Sequence, residues 1–425
     1  MIENVIVGAG PYGLSIAAHF RRRGLPFRIF GPPMDSWLKH MPTGMMLKSD
    51  GFASNLSEPD GRMSLKEFCQ ERAIPYSDTT IPVSLDTFTA YGLAFKERMV
   101  PELEDKMVTK LERNGDGYSL TLSDGERLEA RRVVLAIGIT HFAYFPEMIR
   151  HLPEEFLTHS YKHQKVDALR GQNVTVIGGG ASAIGLAGLM RAAGVDAQLV
   201  VREGELKFHG KPSSKPRSLW SQLRHPKSGL GPGLRSRFCA NHPELFRLLP
   251  ERLRIEIVRR HLGPSGHWVS KDVVISTVPQ LLGYEPVGAE VRGRKALLHL
   301  RSDDGSERKV ETDHIVVGTG YRVDLERVNF LTPELRAQIK CSEGSPVLSS
   351  KFEASVPGLY FVGLAAANSF GPVMRFTFGA DFAARSLTQT IARAARFGHA
   401  MSATKPDVQG VDMERICSSE VGARE

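Results

Sequence analysis

Gly8, Gly10 and Gly13 stand in the run Gly8-Ala-Gly-Pro-Tyr-Gly13, a Gly-x-Gly-x-x-Gly spacing. In such a run the first glycine permits a tight turn, the second lets backbone approach a pyrophosphate, and the third lets a helix pack closely on a strand. A helix beginning there points unpaired N–H groups and a partial positive charge at the phosphates. A second run, Gly178-Gly-Gly-Ala-Ser-Ala183, repeats the logic with Gly178, Gly180, Ser182 and Ala183. Arg202 closes the strand that follows, where a guanidinium pairs with the 2′-phosphate of NADPH and an acid would select NADH. Two dinucleotides on one chain are the chemistry these residues could do, with NADPH (or NADH) on the second run.

The elements around the glycines support that reading. Residues 2–7 read as a short buried strand, Leu14–Arg23 as a helix and Phe27–Phe30 as the next strand, so the first run opens a βαβ unit. Asn173–Ile177, Ile184–Ala193 and Ala197–Val201 make the second unit, too far along the chain to share a domain with the first. Asp105–Ile137 reads as three strands turning at Asn114-Gly115 and Asp124-Gly125 and ending at Gly138. His314–Val317 and Leu359–Val362 are further apolar strands, and Arg375–Ile391 reads as a last helix. One expected residue is missing. The second strand of the first unit ends Ile29-Phe30-Gly31, without the acid that normally holds the adenosine ribose, which leaves backbone groups or Asp35 for that role.

Composition bounds the alternatives. The 425 residues exceed one core and carry a net charge of +8, much of it local. Between Arg202 and Arg237 nine lysines or arginines face only Glu203 and Glu205. No nucleic-acid module accompanies this patch, and Gly and Pro interrupt any long basic helix, so an anionic small molecule is the expected partner rather than nucleic acid. No stretch approaches the roughly 20 apolar residues that span a bilayer, and residues 2–7 are too short for a signal peptide. A cytoplasmic protein without membrane partner, able to form a homo-oligomer, is expected. The four cysteines form no Cys-x-x-Cys, which argues against a dithiol centre. His209, His225, His242, His261 and His267 fall in the basic region at separations that fit no compact metal-ligand pattern.

With both runs in this order, the chain resembles the flavin-containing monooxygenases, the class B group that includes N-hydroxylating and Baeyer–Villiger enzymes. Asp35-Ser36-Trp37 stands where that group has Gly-Gly-x-Trp. Phe156-Leu-Thr-His-Ser-Tyr161 is similar to its Phe-x-Gly-x-x-x-His region, with the glycine absent, and Gly318-Thr-Gly-Tyr321 to its Ala-Thr-Gly-Tyr linker. Met41-Pro-Thr-Gly-Met-Met-Leu-Lys-Ser49 and Gly363-Leu-Ala-Ala-Ala-Asn-Ser-Phe-Gly-Pro372 resemble a bacterial subgroup that includes urate hydroxylases. The resemblance spans roughly residues 1–395 and is specific only as a set. It implies FAD on the first run and hydride from NADPH. One atom of O2 would then reach a small substrate through a C4a-(hydro)peroxyflavin, with the protein supplying orientation and a dry site.

It further implies residues at the cofactors: Trp37, Gly138, Gly320, Tyr321, Gly363 and Asn368 for binding, and Lys48, Ser49 and Asn55 beside the flavin. The last helix, entered at Met374–Thr377, would place its N-terminus near reduced flavin. No metal is required. The expected fold is α/β with two Rossmann-like domains. Residues 1–165 and 312–400 form the FAD domain, split by a nicotinamide domain at 166–311 that carries a basic insert at 207–266, and residues 401–425 form a mobile tail. A urate-like nitrogen heterocycle or an amine to be N-hydroxylated are the candidate substrates, the insert's charge favouring the first. A flavin reductase without oxygen insertion is the rival chemistry, and a binding protein without catalysis a more distant one.

Overall fold

Short apolar strands and two glycine-entered helices build the frame that carries both turns. The computed structural model describes residues 1–212, 218, 220 and 224–403. β1 (Ile2–Val7), β2 (Arg28–Phe30), β3 (Val108–Asn114), β4 (Gly117–Leu122) and β5 (Arg127–Leu135) form a first sheet in the order β2-β1-β5-β4-β3. β1 runs parallel to both neighbours, with Val7 beside Phe30 and Leu135. β3, β4 and β5 are the three strands expected between 105 and 137, turning at Gly115 and Gly125, both at positive φ.

α1 (Pro11–Arg22) crosses from β1 to β2 and buries Leu14, Ile16, Ala17 and Phe20. Proline at its first position suits the fixed φ there, and His19, Arg21 and Arg22 in its last turn complement the helix dipole. Two helices between the first and second βαβ units, Leu65–Glu71 and Leu85–Met99, were not legible as helices in the sequence. Each starts on a serine whose side chain accepts a backbone N–H.

β6 (Leu157–His159), β7 (Asn173–Ile177), β8 (Asp196–Val201), β9 (Gln280–Leu282) and, later in the chain, the strand His314–Val317 form a second, fully parallel sheet. α2 (Ala181–Ala192) lies between β7 and β8. β10 (Tyr284–Arg292), β11 (Lys295–Ser302) and β12 (Glu307–Thr312) form an antiparallel sheet, and β13 (His314–Val317) follows directly. The second sheet is covered on both faces, as parallel sheets are. Val174, Val176 and Val316 pack with α2, whereas Ile177, Ile315 and Val317 pack with Leu298 and Leu300 of the antiparallel sheet. β14 (Leu359–Phe361) returns to the first sheet and pairs with β5.

Two expectations are corrected by this pairing. β6 and β13 both belong to the second sheet, so the boundaries drawn at 165/166 and 311/312 cut through it. The last helix, α3 (Gly379–Ala403), starts later than Arg375: Gly371 at φ +94 and extended Phe376 break the chain, leaving Pro372–Arg375 as a separate 3₁₀ turn. Ala380, Ala383, Ala384, Leu387 and Ile391 form the buried stripe by which α3 joins the first core. Of the tail expected at 401–425, residues 404–425 lie outside the described residues. The ends of the basic insert meet, for Phe208 and Gly266 pair as a backbone bridge. No described helix is long and apolar enough to cross a membrane.

Candidate functional site: two dinucleotide turns and the wall between them

The first turn is shaped by close backbone approaches. Gly8 has φ +107, and a Cβ there would lie 2.3 Å from the Ala136 carbonyl oxygen. A Cβ on Gly13 would lie 1.8 Å from the Gly8 oxygen, so helix and strand touch as the spacing requires. Around Gly10 there is nothing within 4 Å of a Cβ, the open volume a pyrophosphate needs. Gly10 caps α1 without a side-chain bond, and no acid stands in the first turn. The leading N–H groups are therefore free for an anion.

From this turn runs a cleft of about 310 Å³, lined by Gly8, Gly10, Trp37, Gly138 and Gly363 among others. Ser49 lines it too, at the far end with Arg375, Phe376 and Thr377. Asp35 also lines the cleft and pairs with Lys39 at 2.6 Å. Gly31 explains the missing acid at the strand end. Its φ is +131, and a Cβ would come within 3.3 Å of the Ala9 nitrogen, which leaves no room for a side chain facing the cleft. Tyr12, not singled out by the motif, anchors the opposite wall. Its hydroxyl lies 3.1 Å from Met374 O and 2.9 Å from Phe376 O, and burial pushes its phenol well above the ordinary range. Arg375 and Thr377, within the Met374–Thr377 segment expected beside the flavin, also line the cleft, although the helix itself starts only at Gly379.

The second turn repeats the first. Gly178 has φ +139, with a Cβ position 2.6 Å from Gly318 O, and Gly180 has open space around it. α2 begins on Gly180 with no side-chain cap and no first-turn acid. Gly318 leaves no room for a side chain, because a Cβ there would lie 2.6 Å from the Cβ of Ala183. Ser182 is exposed in the first turn. Arg202 is mostly solvent-exposed and stands 3.4 Å from Glu203.

Other expected residues fall elsewhere. Asn55 is absent from the cleft lining: its amide donates to Phe52 O at 2.9 Å and accepts from Leu65 N at 2.8 Å, beside a separate cavity of about 740 Å³. Asn368 donates to Ser345 Oγ at 3.1 Å and is not among the cleft residues either. Gly320 and Tyr321 lie at the crossing between the sheets, where His159 Nε2 donates to Gly320 O at 3.1 Å and its ring packs on Tyr321. Burial holds His159 down at about 4. Lys48 reaches across to the insert instead of into the cleft, its Nζ 3.1 Å from Ser265 Oγ. Burial, and then Arg375, lowers its ammonium to about 8. No described group of histidine, cysteine and carboxylates could hold a metal ion.

Two uncapped helix starts on two parallel strands define a protein of the two-dinucleotide α/β class. A model of the family described as pyridine nucleotide-disulphide oxidoreductase matches residues 5–222, more than half of the chain, and the protein belongs to that family of flavoprotein oxidoreductases. Solved structures share the fold. An ornithine N-hydroxylase from Kutzneria sp. 744 is 16% identical, covers 93% of this chain and 100% of its own, and superposes with a TM-score of 0.71. A flavin-containing monooxygenase from Stenotrophomonas maltophilia is 18% identical over 93% of this chain and 99% of its own, at 0.62. A bacillithiol disulfide reductase from Staphylococcus aureus is 16% identical over 92% and 98%, at 0.61.

Proposed function

We propose that the protein is an FAD- and NADPH-dependent monooxygenase, placing one atom of O2 in a small polar substrate and releasing the other as water. The flavin, when bound, supplies the hydride acceptance and oxygen chemistry. The chain supplies the rest. The α1 start at Gly10 would bind the FAD pyrophosphate, the α2 start at Gly180 that of NADPH, and Arg202 its 2′-phosphate. The observation that carries the reading is the Lys48–Ser265 contact, which ties the segment leading to the cleft residue Ser49 to the insert and so holds the insert beside the cleft. Keeping water from the reacting centre is a need specific to oxygen transfer.

The chain resembles, in its Met41–Ser49 segment, enzymes acting on urate-like heterocycles, while an ornithine N-hydroxylase and an L-lysine 6-monooxygenase share its fold, so both substrate classes belong in the screen. A reductase reading follows from the disulfide reductase among those structures. It is disfavoured because Cys69, Cys239 and Cys341, the described cysteines, are all missing from the cleft lining. The test is substrate-stimulated NADPH oxidation under isotopically labelled O2. Product carrying one labelled atom per NADPH is expected. Label recovered only in peroxide or water across the screen would move the protein to the reductases.

A further inference from the structure

Several basic side chains gather beside the cleft, Lys48 and Arg375 as cations and two histidines as neutral imidazoles. Lys48 and Arg375 come from the FAD side, and His209 and His267 from the two strands at the base of the insert. His209 N donates to Gly266 O at 3.0 Å and Gly266 N to Lys207 O at 2.8 Å, which fixes both histidines beside Ser265 and hence beside Lys48. Lys211 adds a further charge, its ammonium 5.4 Å from the centre of the Trp268 ring.

None of these cations has a carboxylate partner among the described residues. Lys48 bonds to a hydroxyl and Arg375 to a carbonyl, Nη1 donating to Val258 O at 3.1 Å. The nearest acid along the chain, Asp50, makes no ion pair with Lys48, and burial raises its carboxyl pKa. Half-buried Lys48 and its neighbour Arg375 are like charges without a counter-ion among the described residues, an arrangement that a bound anion would stabilise. The effect of burial is visible in the protonation of the group. Burial and the neighbouring Lys48 hold His209 at about 4 and lower His267, while burial also disfavours the Arg375 charge. Arg375 lines the cleft, as does Ser49 next to Lys48, so the cluster borders the place where oxygen would be transferred.

We propose that Lys48, Arg375, His209, His267 and Ser265 form a receptor for an anionic oxygen group of the substrate, a carboxylate or the oxygen of a delocalised heterocyclic anion. The proposal rests on reading the cleft as an oxygenation site. A substrate whose only charge is an ammonium would be repelled from Lys48 and Arg375, so within the screen an amine that also carries a carboxylate is favoured over a simple amine. The coenzyme diphosphate offers the same oxyanion chemistry, and the two sources separate by experiment.

The test uses the flavin-loaded protein and calorimetry, which needs no turnover. Sodium benzoate is the anion probe, benzamide its neutral counterpart and NADP⁺ the coenzyme probe. Benzoate should bind at least about tenfold more tightly than benzamide, and Lys48→Met should remove about tenfold of that affinity, one charge-assisted bond. Lys48→Arg should retain it, and NADP⁺ binding should change little. His209→Gln, on the insert's edge, gives a second reading with less risk to folding and should also weaken benzoate. Equal binding of benzoate and benzamide would overturn the proposal. So would variants that lose NADP⁺ and keep benzoate, which assigns the cluster to the coenzyme. Anion binding without any labelled product would instead sink the monooxygenase reading and leave the receptor standing.

Discussion

Arg202 Nη2 and Glu203 Oε1 stand 3.4 Å apart just beyond the end of β8, at the mouth of the second turn. Glu203 also leans over the turn, its Oε2 3.2 Å from the position of a Cβ on Gly179. The pair therefore offers a cation for a 2′-phosphate and an acid for a ribose 2′-hydroxyl at one place. Arg202→Ala should weaken NADPH at least about tenfold and leave NADH nearly unchanged, since a charge-assisted bond is worth on the order of 1.5–3 kcal/mol. Glu203→Gln should shift the ratio of kcat/KM values toward NADPH. Equal losses for both coenzymes in Arg202→Ala would show that the guanidinium is only a surface group.

Gly10 and Gly13 should separate binding from folding. Gly10 has an extended backbone, φ −83 and ψ −172, which any residue adopts, and its surroundings are open. Gly10→Val should fold, yet purify without yellow colour. Gly13→Ala should lower the melting temperature itself, because its methyl would meet the Gly8 oxygen. A coloured Gly10→Val protein would overturn the assignment of the first turn.

Tyr12→Phe tests the opposite wall. The hydroxyl is the tie from α1 to the 374–376 segment, and its loss leaves buried carbonyls under-bonded. A destabilisation of about 1–3 kcal/mol is expected, together with faster flavin release. Unchanged urea midpoint and flavin off-rate would mean that the segment is held by packing alone.

Stability should fall in mild acid for a reason traceable to buried imidazoles. Thr158 Oγ1 sits 2.6 Å from His163 Nε2 and 2.7 Å from His314 Nε2. Burial, reinforced by the neighbouring His314, depresses His163 to about 4, and burial likewise lowers His314. A depressed folded pKa means that the unfolded chain binds more protons between its ordinary value, about 6.5, and the folded one. The contribution is complete above about pH 6.5 and is lost as the pH drops toward 4. Unfolding free energies from urea titrations across that window should decline by on the order of 1–3 kcal/mol, and His163→Gln should flatten the slope. Equal slopes for variant and wild type would remove these histidines from the account.

Both glycine runs carry their meaning locally, so strand, turn and helix were legible at Gly8–Gly13 and Gly178–Ala183 from sequence alone. The spacing of glycines states which backbones must touch, and the observed approaches at Gly8, Gly13 and Gly178 are those contacts. Trp37, Ser49, Gly138 and Gly363 were named through the family resemblance and all line the cleft, Gly138 and Gly363 just past strand ends. Long-range pairing was not legible. β6 and β13 are three- and four-residue strands whose partners lie far away in the chain, and nothing in their own residues chooses between two parallel sheets. Asn55 was drawn to the flavin by nearness in sequence, yet its amide is consumed by Phe52 and Leu65. Lys48 was singled out by its segment, but only tertiary structure brings Ser265, His209, His267 and Arg375 to it. A pattern along one strand or helix reports what that element needs. The company a side chain keeps across a cleft is set by how separate elements close on each other.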